Sequence, residues 1–441
     1  MTQKNDPMGL NRRSLLGAAV ALPVASAISA PWAARAQAAG RLVILGGGFG
    51  GASAARFARD VFPTLEVTLI ERSQRFTTCP YGNLVLAGRR DIESVTFGYE
   101  GLAARGVKVV HATAEAVDAD ARVVRLAGGA QIPYDRLIMS PGIDLRWNAI
   151  DGYDEAASAT MPHAWAPYLQ PVTLLAQQLH AMRQGGVFVM TIPDNPFRCP
   201  PGPYERISMV AEYLKRKNPT AKIIALDAKN GFSKQPLFQD AWKELYGAMV
   251  EWRGASDDGK VVRVHASTKE VETEFGQRVK GDVINVIPPQ MAGKIARDAG
   301  LAVESGWCPV KAETFESARA PNIYVIGDAS IAAPMPKSGF AANSQAKQAV
   351  ASAAASMLGV APPTASYFNT CYSHVGEDYG ISIVGVYRAN GGKLVEVEGS
   401  GGISPRNATL QDARRVEHRR LEANYADGWY ETITKEMFAL S

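Results

Sequence analysis

The chain has 441 residues, of which 46% are hydrophobic and 20% are charged, and its formal net charge is +4 at pH 7. This composition excludes an intrinsically disordered chain, and so small a charge gives no sign of nucleic-acid binding. The length is enough for two or three domains. We therefore expect a globular protein that has no nucleic-acid partner.

Residues 1–38 have the pattern of an export signal. Residues 11–16, Asn-Arg-Arg-Ser-Leu-Leu, form a twin-arginine motif, and an apolar region follows to Ile28. The A-x-A patterns allow cleavage after Ala36 or Ala38. The apolar region is too short for a stable membrane span, and no later run reaches about 18 apolar residues. We expect a mature protein without a membrane span, exported folded to the periplasm; a disordered basic tail is the alternative.

The next segment has the order of a dinucleotide-binding unit. Residues 41–45 predict a buried parallel strand, and residues 46–51 fit the pattern G-x-G-x-x-G before a helix. A second strand, 66–70, ends at Glu71, which follows the last motif glycine by 20 positions. The motif glycines are Gly46, Gly48 and Gly51. They allow a tight turn near a pyrophosphate, and Glu71 is placed to accept hydrogen bonds from a ribose.

Two later segments indicate that the dinucleotide is FAD. Residues 134–142 form a strand and loop that ends at Gly142, and residues 322–328 form a strand that ends in Gly-Asp. In flavoproteins with two dinucleotide-binding domains, an aspartate at the position of Asp328 bonds the ribityl chain. The glycine motif at 46–51 and the Gly-Asp signature at 327–328 lie about 280 residues apart, which favours FAD over a dissociable NAD. Cys79 follows the second strand, near the expected isoalloxazine end; a buried free cysteine is an equally open interpretation.

A turn rich in proline interrupts a second β-α-β pattern. The apolar strand 186–192 leads into residues 195–205, which contain Cys199 and four prolines. The prolines are Pro196, Pro200, Pro201 and Pro203. Because proline has no N–H and a fixed φ, this turn cannot form an amide cradle for a phosphate. We expect a degenerate nicotinamide-type domain over 161–281 that presents a cysteine and does not bind NAD(P)H tightly.

The predicted domains follow from these segments. The FAD-binding domain is discontinuous and covers 39–160 and 282–360, while a smaller domain covers 361–441. In the first of these, Cys308 beside a tryptophan is interpreted as a packing residue. Lys337 is interpreted either as a stabiliser of the anionic reduced flavin or as a solvated loop lysine. The last domain has alternating strands and a charged helix from about Leu410, whose default interpretation is a solvated face.

From about residue 40 to 441, the chain resembles the flavoprotein subunit of flavocytochrome c sulfide dehydrogenase. The segments that carry the resemblance are 197–205, 282–290, 306–310, 334–339 and 369–373. The resemblance implies an α/β fold with two Rossmann-like three-layer domains of the glutathione-reductase type and a small α+β C-terminal domain. It also implies a thioether from Cys79 to the 8α-methyl of FAD and a redox-active Cys199–Cys371 disulfide. Glu205 then corresponds to an acid near that disulfide, and Trp429 to an aromatic residue near the flavin.

The implied activity is periplasmic oxidation of sulfide to sulfur, with electrons passing to a cytochrome c subunit in a heterodimer. The sequence has no C-x-x-C-H motif, so heme is expected only on that partner. No metal site is expected. Two alternatives remain open. A sulfide:quinone oxidoreductase would need an amphipathic membrane-binding tail, and residues 410–435 are too charged for one. A non-catalytic flavoprotein would instead reactivate another sulfur-oxidising protein.

Overall fold

The computed structural model describes residues 40–165, 169–407 and 412–440. The proposed signal peptide, 1–38, lies outside the described residues. The α-helices are Phe49–Val61, Gly82–Leu86, Glu100–Ala104, Glu155–Ser158, Leu169–His180, Gly202–Lys217, Gln235–Tyr246, Lys294–Asp298, Gly339–Leu358 and Asp412–Phe438. Short 3-10 helices are Ile92–Val95, Gly247–Met249, Ala255–Asp257 and Gly327–Ala329. None of these helices is long and apolar enough to cross a membrane.

The first sheet is parallel and draws on two distant parts of the chain. Its strands, in spatial order, are Ile323–Val325, Arg136–Met139, Arg41–Leu45, Glu66–Ile70 and Lys108–Val110. Residues 42–45 of the central strand are a continuous apolar run because both faces of the sheet are covered. The two long helices cover one face, and the short sheet that contains Val124 and Leu126 covers the other. Helix Gly339–Leu358 packs against helix Phe49–Val61. Its buried side is mostly alanine, which allows the two helices to approach closely.

The second sheet is also parallel and has four strands. Their spatial order is Val250–Arg253, Lys222–Asp227, Val187–Ile192 and Val283–Val286. Helix Gly202–Lys217 follows the apolar strand Val187–Ile192 across the turn that contains Cys199. Most residues in the first three turns of this helix are buried, including Tyr204, Ile207 and Val210. The burial fixes the start of the helix, and therefore the turn before it.

The third sheet is antiparallel and belongs to the last part of the chain. The long hairpin of Ser366–Gly376 and Tyr379–Asn390 continues into Lys393–Glu396, and Gly402–Ile403 pairs with the second strand. Helix Asp412–Phe438 crosses this hairpin. At the crossing, a Cβ on Gly380 would lie 2.3 Å from the nitrogen of Ala423, so glycine permits the close contact. Strand Ser366–Gly376 is an edge strand, and helix Gly202–Lys217 packs against it.

Several short sheets connect these layers. They are Ala114–Asp118 with Val123–Leu126 and Gln131–Pro133, Val261–His265 with Glu270–Thr273 and Arg278–Lys280, Ile143–Leu145 with Gln290–Ala292, Cys308–Pro309 with Ser330–Ile331, and Phe76–Thr77 with Thr96–Phe97. The pair Ile143–Leu145 and Gln290–Ala292 is antiparallel. It ties the loop after the first sheet to the strand that leaves the second sheet.

Candidate active site

A cavity of about 520 Å³ lies at the carboxyl ends of the first sheet's strands. Its lining includes the glycine turn, the loop after strand Ser330–Ile331 and the cysteine turn of the second domain. The sequence-predicted residues among the lining are Gly46, Gly48, Glu71, Cys79, Gly142, Cys199 and Asp328. A cavity of this size at the carboxyl edge of a parallel sheet is the usual position for a dinucleotide.

The glycine turn is shaped by close backbone packing. Gly46 has φ +95°, and a Cβ there would lie 2.3 Å from the oxygen of Ser140. A Cβ on Gly51 would lie 1.7 Å from the oxygen of Gly46, although Gly51 itself does not line the cavity. The Gly47 N–H donates to Oε2 of Glu71 at 2.8 Å. Glu71 therefore holds the turn, and its carboxylate oxygens keep lone pairs for a ribose.

The polar lining of the cavity suits FAD. Nε and Nη2 of Arg198 and Oδ1 of Asp328 are buried and have no hydrogen-bond partner among the described residues. Such orphaned groups are costly unless a ligand satisfies them. Helices Phe49–Val61 and Gly339–Leu358 begin at the cavity, and their first N–H groups favour phosphate. These residues would hold the ribityl chain and the pyrophosphate.

Lys337 is held by the protein and is not a solvated loop lysine. Its Nζ donates to the backbone oxygens of Asp328 and Ser330, each at 2.7 Å, and lies 3.9 Å from the centre of the Trp307 ring. The side chain does not line the cavity. Burial lowers the pKa of Lys337 to about 8. The structure thus makes Lys337 a support for the loop around Asp328, and its role toward the flavin stays a prediction.

The cysteine turn is fixed by hydrogen bonds that use its own N–H groups. Cys199 has φ +59°, a conformation uncommon for a residue with a side chain. Its N–H donates to the oxygen of Lys337 at 2.8 Å, and the N–H of Arg198 donates to Oε1 of Gln290 at 2.9 Å. The Gly202 N–H returns to the oxygen of Cys199 at 2.8 Å. These amides are therefore committed to the protein and not to a phosphate.

Three of the four cysteines surround the same point. The pKa of the Cys199 thiol is raised well above its usual value, first by burial and then by the nearby Cys79 and Cys371. Burial also raises the pKa of Cys371, whose sulfur accepts a hydrogen bond from Asn369 at 3.3 Å. All four cysteines are unbridged in the structure. The disulfide between Cys199 and Cys371 stays a prediction. The structure places the two thiols near enough for Cys371 to raise the pKa of Cys199.

Lys234 and Glu205 are two charged side chains near Cys199 and Cys371. Lys234 is buried, and its Nζ donates to the Cys371 oxygen and to Oγ of Ser373, both at 2.8 Å. Burial lowers the pKa of Lys234 to about 8. Glu205 lies in the first turn of helix Gly202–Lys217, and burial raises the pKa of its carboxyl. Sequence reasoning missed Lys234 because no motif surrounds it and only the tertiary fold brings it to Cys371.

Neither Trp429, a candidate near the flavin, nor Cys308, interpreted as a packing residue, lines the cavity. Trp429 stacks on Phe340 with ring centres 6.2 Å apart and contacts Tyr372, on the side of the C-terminal sheet. Its Nε1 is buried and has no partner among the described residues. Cys308 is fully buried in a short strand, and burial raises the pKa of its thiol to about 11. Trp429 is therefore not a lining residue, and Cys308 lies in the packed core.

Sequence profiles of known families match three consecutive parts of the chain. A pyridine nucleotide-disulphide oxidoreductase profile matches residues 40–171. The central profile of the sulfide dehydrogenase [flavocytochrome c] flavoprotein chain matches 172–288, and its flavin-binding profile matches 363–438. A flavocytochrome c sulfide dehydrogenase flavoprotein chain from Chlorobaculum thiosulfatiphilum is 51% identical over 45 residues, which are 10% of this chain and 94% of the relative.

The chain belongs to the family of flavocytochrome c sulfide dehydrogenase flavoprotein chains. This is a family of FAD-dependent oxidoreductases, and its two profiles include both the cysteine turn and the strand that holds Cys371. FAD is therefore the cofactor of the glycine-lined cavity. The resemblance given by the sequence motifs is confirmed.

More distant relatives show the same fold. The mitochondrial sulfide:quinone oxidoreductase of Mus musculus is 24% identical over 298 residues, so the match spans 65% of this chain and 65% of the relative. The solved structure of the sulfide:quinone oxidoreductase from Aquifex aeolicus superposes with a TM-score of 0.68 at 17% identity. The superposition covers 91% of this chain and 93% of the Aquifex chain. This likeness confirms the predicted fold class of two Rossmann-like domains and a C-terminal domain.

Proposed function

We propose that the chain oxidises sulfide to sulfur through a Cys199–Cys371 disulfide set against FAD. The observation that supports this most directly is the position of Cys199. It lies in a turn whose amides are already bonded, it lines the FAD cavity, and the nearby Cys79 and Cys371 help to raise the pKa of its thiol. A nucleotide-binding turn has thus become a rigid support for a thiol.

In the proposed reaction, hydrosulfide attacks one sulfur of the disulfide. A new sulfur–sulfur bond forms, the Cys199–Cys371 bond breaks, and one cysteine leaves as a thiolate. The attacking sulfur loses its proton. Bound FAD supplies the two-electron acceptor, so that sulfide leaves at the oxidation level of sulfur. Which of the two cysteines is attacked stays open.

Lys234 and Glu205 supply the charge and the base for this step. The Lys234 ammonium lowers the pKa of the Cys371 thiol against the effect of burial, so it favours a sulfur anion at Cys371. The Glu205 carboxylate is placed to accept the proton of the hydrosulfide, because its raised pKa lies closer to neutral pH than that of an ordinary glutamate.

The proposed electron acceptor is a cytochrome c subunit, in a heterodimer located in the periplasm. Support comes from the Chlorobaculum relative, which is the flavoprotein chain of a flavocytochrome c, and from the twin-arginine pattern. Heme would lie on the partner, since the sequence contains no C-x-x-C-H motif. We also propose that the flavin is covalent through Cys79, whose side chain lines the cavity. Gel fluorescence of the denatured chain tests that link.

A sulfide:quinone oxidoreductase is the second candidate, and the mouse and Aquifex relatives favour it. The C-terminal helix argues against it. Helix Asp412–Phe438 buries apolar residues such as Tyr430, Ile433 and Met437 inside the protein. Three of its arginine side chains, Arg415, Arg419 and Arg420, are engaged in ion pairs or hydrogen bonds. A helix of this kind has no broad apolar face for a membrane interface.

Purified protein assayed with sulfide tests the proposal. Reduction of cytochrome c, and not of a soluble quinone, is expected, and C199S should lower the rate by ~10³-fold or more. C308S is the matched control because Cys308 is buried away from the cavity, and it should keep the rate. Full activity in C199S would overturn the disulfide mechanism. Quinone reduction alone would favour the second candidate.

A further inference from the structure

The last helix of the chain, Asp412–Phe438, holds the segment that contains Cys79. We propose that Asp427 and Tyr430 of this helix position Cys79 for its covalent bond to FAD, so that the flavin becomes linked only after the helix has packed against the FAD-binding domain. The proposal rests on the thioether included in the proposed function. It deepens that function, because it names the side chains that bring the thiol to the flavin.

The segment 78–81 lies partly inside and partly outside the FAD cavity. Cys79 and Pro80 line the cavity, whereas Thr78 and Tyr81 do not. Thr78 and Tyr81 are buried instead, with 2% and 5% of their surface exposed, and both bond to the C-terminal helix. The thiol therefore lies on a two-residue segment whose ends are held outside the cavity.

One turn of the C-terminal helix holds both ends of this segment. The hydroxyl oxygens of Thr78 and Tyr430 lie 2.8 Å apart, and the Tyr81 hydroxyl donates to Oδ1 of Asp427 at 2.6 Å. The Tyr81 ring also stacks on the Tyr430 ring, with the ring centres 4.0 Å apart. Because Asp427 and Tyr430 are three residues apart, they lie on the same face of the helix. A single helical turn thus fixes the chain on both sides of Cys79.

The backbone at Tyr81 depends on this support. Its φ of +71° lies in the left-handed region, which is an outlier for a bulky residue. Such a conformation is strained and persists where the surrounding structure holds it in place. The Gly82 N–H donates to the Cys79 oxygen at 3.1 Å and closes a turn around Pro80 and Tyr81. Without the bonds from the helix, the turn would relax and Cys79 would move with it.

The helical turn that holds Cys79 is itself held on two sides. Nη2 of Arg90 and Nε2 of His374, a residue of the C-terminal sheet, lie 3.5 Å and 3.6 Å from Oδ1 of Asp427. At the end of the helix, Phe438 stacks on Phe97 with ring centres 5.2 Å apart. Phe97 belongs to the short sheet that leads into the cysteine segment. The helix therefore joins the C-terminal sheet to the chain around Cys79.

Thioether formation replaces the S–H bond of Cys79 and one C–H bond of the 8α-methyl group with a sulfur–carbon bond. Two protons and two electrons are lost, and dioxygen accepts them by way of the flavin ring to give hydrogen peroxide. The reaction needs the sulfur and the methyl carbon in contact, so its rate depends steeply on where the thiol is held. Binding of FAD uses the glycine turn, so the link can fail while the flavin stays bound.

The test compares bound flavin with covalent flavin in the full-length protein. Absorbance of the native protein gives the total flavin, and fluorescence of the denatured band gives the linked share. We expect D427N/Y430F to slow thioether formation by ~10-fold or more, so the purified variant should keep its flavin and release most of it on denaturation. D412N/Y425F is the matched control, since it makes the same two changes at exposed positions of the same helix. The control should be linked to the same extent as the wild type.

Y81F supplies a milder variant, because it removes the hydroxyl that bonds Asp427 and keeps the stacked ring. Its linked share should lie between those of the wild type and D427N/Y430F. A wild-type share in both variants would overturn the positioning role alone. The same loss in D412N/Y425F, or equal losses of bound and linked flavin, would also overturn it, because general damage to the fold would then explain the result. A wild-type band without fluorescence would instead overturn the covalent link, and with it the role of the helix.

Discussion

The two strand-to-helix turns of this chain occupy equivalent positions in two parallel sheets and have opposite local chemistry. In the first, residues 46–51, close backbone contacts exclude a side chain at Gly46 and at Gly51. In the second, residues 195–202, prolines remove N–H groups, and the amides of Arg198 and Cys199 are bonded to other parts of the protein. The same fold therefore supports a phosphate cradle at one turn and a thiol at the other.

In each of the two sheets an acid follows or ends the second strand, and only the acid of the first sheet is open to a ligand. Glu71 follows the second strand of the first sheet and lines the cavity. Asp227 ends the second strand of the second sheet and is fully buried, with bonds from the Tyr204 hydroxyl at 2.6 Å and the Lys229 ammonium at 2.6 Å. The Tyr204 ring stacks on Phe232 at 3.6 Å. The second ribose position is thus filled by the protein itself.

Apart from the loss of Cys199 itself, the largest effect is expected from a side chain in the glycine turn. Gly51→Ala places a Cβ 1.7 Å from the oxygen of Gly46, so the turn must move away from the phosphate position. We expect loss of bound flavin and a fall in activity of ~100-fold or more. Absorbance of the purified variant measures flavin content. Gly231→Ala is the matched control, because the nearest atom to its Cβ is 3.6 Å away; full flavin in G51A would contradict the assignment.

Removal of the charge beside the cysteine turn should have the next largest effect. Lys234→Met is expected to slow turnover with sulfide by ~10-fold to 100-fold, because a sulfur anion at Cys371 loses its ammonium. Burial places the pKa of Lys234 at about 8, so the wild-type rate should fall as pH rises through 8 while that of K234M lacks this step. Rates measured across this range test the prediction. Parallel pH profiles in both proteins would contradict it.

A moderate effect is expected at Cys79, which lies between the two turns. Cys79→Ser removes the proposed thioether, so the denatured chain should lose its flavin fluorescence on a gel while the native protein keeps FAD through the glycine turn. Activity should fall less than tenfold, about 1 kcal/mol of barrier or less. A wild-type band without fluorescence would exclude the covalent link and leave the disulfide proposal intact.

The smallest effect is expected from an attempt to restore the second turn. Pro200→Gly with Pro201→Gly returns two N–H groups, yet NADH binding should remain undetectable because Asp227 is still bonded to Tyr204 and Lys229. The extra freedom of the unfolded chain should lower the free energy of unfolding by about 1–2 kcal/mol. Fluorescence titration with NADH and denaturant unfolding measure the two quantities. NADH binding in this variant would show that prolines alone closed the site.

The sequence predicted the fold class, and seven of the residues that it singled out line the cavity, because both depend on local patterns. An apolar strand followed by a turn such as Gly46–Gly51 is typical of a dinucleotide-binding domain, and the Gly-Asp pair at 327–328 follows a strand of the same sheet. The sequence could not predict Lys234 beside Cys371, or Tyr81 and His374 beside Asp427, since these contacts join residues far apart in the chain. The role of Lys337 as a stabiliser of the anionic reduced flavin stays a prediction, while its ammonium donates to the oxygens of Asp328 and Ser330.

The pairing of Cys199 with Cys371 is the central claim, and peptide mapping of the oxidised protein under non-reducing conditions tests it most directly. We expect a linked peptide that contains both cysteines. After one equivalent of sulfide without an electron acceptor, that peptide should disappear, and one of the two cysteines should carry the mass of an added sulfur atom. A link from Cys199 to Cys79, or two free thiols that sulfide leaves unchanged, would contradict the account.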